Sequence, residues 1–311
     1  MIRNIQKLNL PQRRLVFFLI FFGILLAIIG LTVLLIASSL NNARQQSVAL
    51  VETATVREFA ALPEDDAYPA AVAAAADAVY TGSYASGVVW RIEPDGTVNS
   101  LVGTRDAIGA VSGLAVAVDG TVYVVDQLDT DGRTAGGDLK RILPNGEIET
   151  IADIADQGGF TTPDDVTLDA EGRVYMSDRG RNEVWRFEAD GSSPTLFWTL
   201  PVDESDGPQQ ALTGLAYDPT TDAIIVTEPE RNVIYRVPVA GGDGEILYAH
   251  PLGDQFPPGF DGATVTPDGV LYVAALGQNG IVRVDDGVIS YVAGQFRGSS
   301  DIDTVDGQRF Y

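Results

Sequence analysis

Residues 164–191 read DDVTLDAEGRVYMSDRGRNEVWRFEADG, and their reading decides the fold. The stretch holds three short strand patterns and three tight turns, a density that reads as sheet. Related versions recur on both sides, so the chain is a repeat. The simplest ruler is one arginine followed by a bulky apolar residue: Arg91-Ile92, Arg141-Ile142, Arg186-Phe187, Arg236-Val237 and Arg283-Val284. Successive spacings are 50, 45, 50 and 47 residues. A unit of that length with four strands is one propeller blade, roughly 40–50 residues.

Five units follow one grammar. An apolar inner strand runs into a turn such as Asp119-Gly120, Glu171-Gly172 or Asp268-Gly269. A second strand follows, TVYVVD, RVYMSD, AIIVTE or VLYVAA, then the arginine strand, then another turn and an outer strand such as EIETIAD or EILYAH. Gly closes these turns because positive φ costs it nothing. The alanine run 70–76 is too short for a stable helix and aligns with the inner strands, so strand is expected there. Residues 301–305 open a sixth unit that stops at Tyr311. The expected fold is all-β, a six-bladed β-propeller with its last blade incomplete. An early strand near residues 53–62 is expected to complete that blade, as ring closure in propellers commonly requires.

Before the repeats, residues 15–37 carry no charge. Twenty-three helical residues span about 34 Å, enough for a hydrocarbon core of about 30 Å. Arg3, Lys7, Arg13 and Arg14 precede this segment and no acidic residue occurs before Glu52, which places the N-terminus in the cytoplasm and the rest outside it. A cleaved signal peptide is the competing reading, but its apolar region is normally about 7–15 residues. The expected organisation is a basic cytoplasmic terminus 1–14, a transmembrane helix 15–37, a linker 38–51 and a propeller 52–311. The membrane is then a partner through residues 15–37.

Composition excludes several chemistries. There are 43 acidic and 20 basic residues, a net charge of −23, which repels nucleic acid and anionic lipid. With no cysteine there are no disulfides, thiol nucleophiles or thiolate metal sites. The single histidine, His250, lies in LYAHPLG with no nucleophile motif beside it, so a surface or structural role is expected. The recurring arginines are expected to pair with carboxylates or cap strand carbonyls within each blade. Trp90, Trp185 and Trp198 are expected to pack between blades.

The phrases around Pro163-Asp164-Asp165 and Asp261-Gly262-Ala263 resemble the six-bladed propellers of the senescence marker protein/gluconolactonase/regucalcin family, and NHL repeats as well. That resemblance implies one divalent cation, often calcium, in the central channel, where it polarises a lactone or ester carbonyl and activates water. It places Ala70 where the family has a Glu ligand, Thr213 where it has an Asn and Asp261 where it has an Asp. Asp164 falls at a channel-lining Asn. One of three ligands is therefore kept, and a shifted site would use Asp261 with Asp164, Asp165 or Asp301, and Thr213 through a hydroxyl or carbonyl. The competing reading is that these aspartates satisfy strand-end N–H groups. The Asp126, Asp129 and Asp131 cluster lacks EF-hand spacing and reads as a solvated loop.

Two functions remain open at this point. One is a membrane-anchored, extracytoplasmic module binding a small molecule or protein at a propeller face. The other is a metal-dependent hydrolase of lactones or related esters.

Overall fold

A computed structural model of the chain describes residues 10–42, 46–63, 67–131, 136–152, 154, 157–202, 210–251 and 253–311. Arg3 and Lys7 lie outside the described residues. The chain divides into two compact units, Met1–Gln46 and Ser47–Tyr311.

Among the described residues of the first unit, one helix, α1, spans Leu10–Asn42. Most of its apolar side chains over residues 15–36 are exposed, and the stretch Leu10–Ala37 is long and apolar enough to cross a bilayer.

The second unit is a β-propeller with five detected blades. A two-residue strand β1 (Val48–Ala49) comes first. Blade one is β2 (Pro69–Ala74), β3 (Val79–Ser83), β4 (Val89–Ile92) and β5 (Val98–Ser100). Blade two is β6 (Val111–Val116), β7 (Val122–Asp126), β8 (Asp138–Ile142) and β9 (Ile148–Thr150). Blade three is β10 (Pro163–Leu168), β11 (Val174–Asp178), β12 (Glu183–Phe187) and β13 (Thr195–Thr199). Blade four is β14 (Leu215–Asp218), β15 (Ala223–Glu228), β16 (Val233–Pro238) and β17 (Glu245–Ala249). Blade five is β18 (Phe260–Val265), β19 (Leu271–Ala275), β20 (Gly280–Asp285) and β21 (Val288–Gly294). Each blade is an antiparallel meander in chain order, and β1 adds a fifth strand outside β21. The alanine run is strand as far as Ala74, as expected, and its last two residues enter the turn.

The core lies between blades, which explains the nearly unbroken apolar middle strands. Side chains alternate across a strand. In β7, Val122 and Val124 pack toward blade one, while Tyr123 and Val125 pack toward blade three. Both faces are buried, so both must be apolar. Trp185 and Trp198 fill the second and third of these interfaces.

Polar side chains at repeat positions hold the loops. The acid ending the middle strand caps the loop before the inner strand. Asp126 accepts from the amides of Gly109, Ala110 and Leu128, and Asp178 from those of Thr161, Thr162 and Gly180. Glu228 accepts from the amides of Ala211 and Arg231. Four of the five ruler arginines pair inside their blades, as expected: Arg91 with Asp77 and Glu93, Arg141 with Glu149, Arg236 with Asp218, and Arg283 with Asp285. Arg141 also reaches across to the carbonyl of Ala189 in blade three.

Four residues before three of the arginines stands an asparagine with positive φ: Asn182 at 56°, Asn232 at 57° and Asn279 at 50°. Each side-chain oxygen accepts an amide from the next loop, those of Leu212, Gly259 and Gly298. Asn tolerates the left-handed region better than most residues. Asn182→Ala should therefore cost about 2 kcal/mol, roughly half from the backbone and half from the lost bonds. Asn182→Gly should recover the backbone half. Denaturant titration of the two variants checks this, and equal losses would contradict it.

The inner strands of the five blades neighbour one another in sequence order. Residues 299–304 bridge the last to the first. Gly262 donates to the carbonyl of Ser300 at 2.8 Å, and Val72 and Ala74 donate to the carboxylates of Asp301 and Asp303, each at 2.7 Å. Asp303 and Tyr311 exchange backbone bonds beside a bridge from Thr304 to Phe310. The strand expected near residues 53–62 is absent. That stretch forms no ladder, and β1 instead takes the outer edge of blade five. Residues 53–62 do cover the closure: Phe59 meets Tyr311 edge-on at 4.9 Å, and Val56 packs with Ile302 and Phe310.

Candidate functional site

The starts of the inner strands converge on one mouth of the central channel and enclose a cavity of about 960 Å³. A smaller cavity of about 300 Å³ is lined by residues further along the same strands. Asp165 lines both and so marks the waist between them.

The expected site residues separate into two groups. Asp164, Asp165, Asp261 and Ala70 line the larger cavity. Thr213 does not. It is 3% exposed, its hydroxyl lies 3.1 Å from that of Thr227, and its carbonyl accepts from Ser177. Asp301 lines the smaller cavity.

The carboxylates differ in what already holds them. One oxygen of Asp165 accepts from its neighbour Val166 at 2.8 Å, and the other from Leu215 of blade four at 2.7 Å. Asp301 repeats the arrangement with Ile302 and with Val72 of blade one. These two side chains are staples between adjacent inner strands. A register shift between Pro163 and Val166 lets β10 present consecutive aspartates, Asp165 to its neighbour strand and Asp164 to the cavity. Where no staple stands, glycine permits the close approach. A Cβ on Gly262 would lie 2.1 Å from the Asp301 carboxylate.

Asp164 accepts from Gln127 Nε2 at 3.2 Å. The Asp261 carboxylate accepts no hydrogen bond among the described residues. Burial pushes Asp164 up to about 6, with Arg179 pulling the other way and Asp178 adding to the rise. Burial also pushes Asp165 up to about 7, against its two amide bonds and with the charges of Asp164 and Asp303. Asp261 lies well above the ordinary value through burial and then the charges of Asp164 and Asp165. Desolvation and like charge act together here.

Calcium takes six to eight oxygens, usually including several carboxylates. Among the described residues no three histidine, aspartate or glutamate side chains sit close enough to hold a metal ion. Asp165 is engaged on both oxygens, Thr213 is turned into the blade interface, and Ala70 offers no ligand. The residues present do not fit a calcium centre. What the floor offers is two accepting carboxylates, Asp164 and Asp261, in a large cavity of mixed polar and apolar lining.

The walls come from a repeat position that sequence reasoning passed over. Tyr84, Gln127, Arg179 and Leu276 each immediately follow the last residue of a middle strand, and all four line the cavity. The signal was available, because this position changes chemistry from blade to blade while its neighbours keep theirs. Tyr84 donates to Gln127 Oε1 at 3.1 Å, and Gln127 Nε2 donates to the Pro163 carbonyl at 2.8 Å, so the wall and the Asp164 floor are one network. Arg179 pairs across the rim with Glu230 at 3.5 Å.

Comparison with known proteins gives a consistent setting. Residues 70–289 match the family described as SMP-30/gluconolactonase/LRE-like region. No curated protein sequence matches the chain. Among solved structures, a gluconolactonase from Xanthomonas campestris superposes with a TM-score of 0.57 at 21% identity, over 78% of this chain and 82% of that one. Virginiamycin B lyase from Staphylococcus aureus gives 0.54 at 20% identity, over 79% and 72%. A chain of the nidogen/laminin complex gives 0.58 at 17% identity, over 73% and 82%. At these identities the structural likeness speaks to the fold.

Proposed function

The chain belongs to the SMP-30/gluconolactonase/LRE-like family, and from that premise we propose that it is a membrane-anchored, extracytoplasmic propeller that binds a small molecule in the channel-mouth cavity without metal-dependent hydrolysis. The observation that carries this reading is the state of the carboxylates. Asp165 is consumed as a staple, while Asp164 and Asp261 face an open cavity and, among the described residues, no third acidic or histidine side chain joins them in a metal-holding group. A metal-dependent hydrolase needs an ion to polarise the carbonyl. A binding cavity needs only shape and a few fixed polar groups.

Two further parts belong to the same reading. Residues 299–311, with the covering stretch 53–62, form a reduced sixth blade that closes the ring. Helix α1 is an uncleaved anchor with the N-terminus in the cytoplasm, supported by its length and by the basic residues before it.

A lactone hydrolase is the second reading, favoured by family membership and by Asp261 standing where the resemblance places an aspartate ligand. One experiment separates the two. Full-length protein in detergent micelles is screened by thermal shift against lactones, sugars and amines, with hydrolysis of the lactones followed in parallel. The expected result is a stabilising ligand whose effect is lost in the double variant Asp164→Asn/Asp261→Asn, with no lactone turnover. Chelator-sensitive turnover would overturn the proposal.

A further inference from the structure

The floor and one wall of the cavity together define a ligand class, on the footing that the cavity is a binding site. Asp261 is half-buried, its carboxylate fronts the cavity, and it has no hydrogen-bond donor among the described residues. Asp164 is fixed by Gln127, which is fixed in turn by Tyr84. Unpaired carboxylates in such a setting are costly, and the ligand that best offsets the cost carries positive charge.

The wall specifies the rest of the ligand. Tyr68 and Tyr84 line the same cavity with ring centroids 6.5 Å apart and planes inclined at 60°. Tyr68 is 64% exposed, a large aromatic surface left open at the mouth. Leu276 stands on the rim as well, 41% exposed. A compact divalent ion would leave these surfaces unused and would find too few oxygens. An anion would meet Asp164 and Asp261 on the floor, whereas the cavity's two arginines stand apart from that pair of acids, Arg179 paired with Glu230 and Arg297 exposed. An ammonium group with an apolar body satisfies both parts, because aromatic faces attract cations as well as covering apolar surface.

We infer that the channel-mouth cavity selects a small organic ammonium ion with an apolar or aromatic body, its charge on Asp261 and Asp164 and its body against Tyr68 and Tyr84. No metal takes part, and no bond is made or broken.

The test uses the full-length protein in detergent micelles and isothermal titration with three probes: phenethylammonium, the neutral alcohol 2-phenylethanol, and glucono-δ-lactone. The alcohol matches the amine in shape and lacks the charge. Phenethylammonium should bind at least about tenfold more tightly than the alcohol, about 1.4 kcal/mol. Asp261→Asn should remove that preference while leaving the weak binding of the alcohol unchanged. Tyr68→Ala should weaken both. Equal binding of amine and alcohol, or amine binding that survives Asp261→Asn intact, overturns the inference. If only the lactone binds, and its binding depends on Asp164 and Asp261, the ligand class is wrong while the cavity reading stands. If no probe binds up to about 5 mM, a weak limit even for a small fragment, both fail.

Discussion

Lowering the pH from 7.5 to 5 should raise the melting temperature of the full-length protein in micelles by about 5 °C, the reverse of ordinary acid destabilisation. The cause is the buried acid group of the channel. Asp164 is pushed from the ordinary 3.8 up to about 6 and Asp165 up to about 7, in both cases first by burial. Asp261 and Asp301 move in the same direction for the same first reason. A carboxyl whose folded pKa lies above its unfolded one holds its proton more tightly when folded. Its contribution is fully present below the unfolded value and is lost as pH rises through the folded value. The window therefore runs from about pH 4 to about pH 7. Taken at face value, Asp164 alone represents about 3 kcal/mol. Both groups are half-buried and face a wet cavity, so about 2 kcal/mol in total is expected across the measured range. Acids held low by turn amides, such as Asp95, Asp119 and Asp306, titrate below this window and do not oppose it. Asp164→Asn/Asp261→Asn should reduce the rise, leaving the part due to Asp165 and Asp301. A melting temperature that falls from pH 7.5 to 5 would contradict the electrostatics described for the channel.

Opening the seam between the C-terminal residues and blade one should cost still more. Asp301 and Asp303 each accept a blade-one amide at 2.7 Å, and Asp303 also accepts from the hydroxyl of Thr264 on blade five at 2.9 Å. Losing the acceptor leaves a part-buried amide unpaired, which costs about 1–3 kcal/mol at each position. Asp301→Ala/Asp303→Ala should therefore destabilise the propeller by about 4 kcal/mol, about 10 °C in melting temperature. Asp301→Asn/Asp303→Asn, which keeps one accepting oxygen at each position, should lose about half as much. The loss should be local first, so limited proteolysis should cut the alanine variant near residues 53–62 before any blade. Wild-type stability in the alanine variant would show that the seam is not held by these side chains.

Much of the architecture was legible because each blade writes its own strands and turns. The middle strands are apolar on both faces because they sit between two neighbours, and Gly120 and Gly269 close turns at φ values of 86° and 87° that other residues resist. Four of the ruler arginines were legible for the same reason, since their carboxylate partners lie in the same blade. What could not be read was how the ring closes. Residues 53–62 have the pattern of a strand that would complete the sixth unit, but they form no ladder, and the early strand that does pair, Val48–Ala49, joins blade five, which the pattern does not mark. The site was legible in part. Asp164 and Asp261 do face the cavity, whereas Asp165, one residue from Asp164, is turned to the next blade by the bulge in β10. Two adjacent aspartates look alike in sequence, and only the register of the strand gives them different work. Thr213 fails as a cavity residue for a similar reason, its hydroxyl being drawn into the blade interface by Thr227.

The central claim is that Asp164 and Asp261 floor a ligand cavity and not a metal centre. It is tested most directly by titrating calcium into the metal-stripped, full-length protein at pH 7.5 and following both heat and melting temperature. The account predicts no saturable heat and no calcium-dependent stabilisation, with the Asp164→Asn/Asp261→Asn variant behaving as the wild type does. A stoichiometric calcium isotherm that stabilises the wild type and disappears in that variant would contradict it.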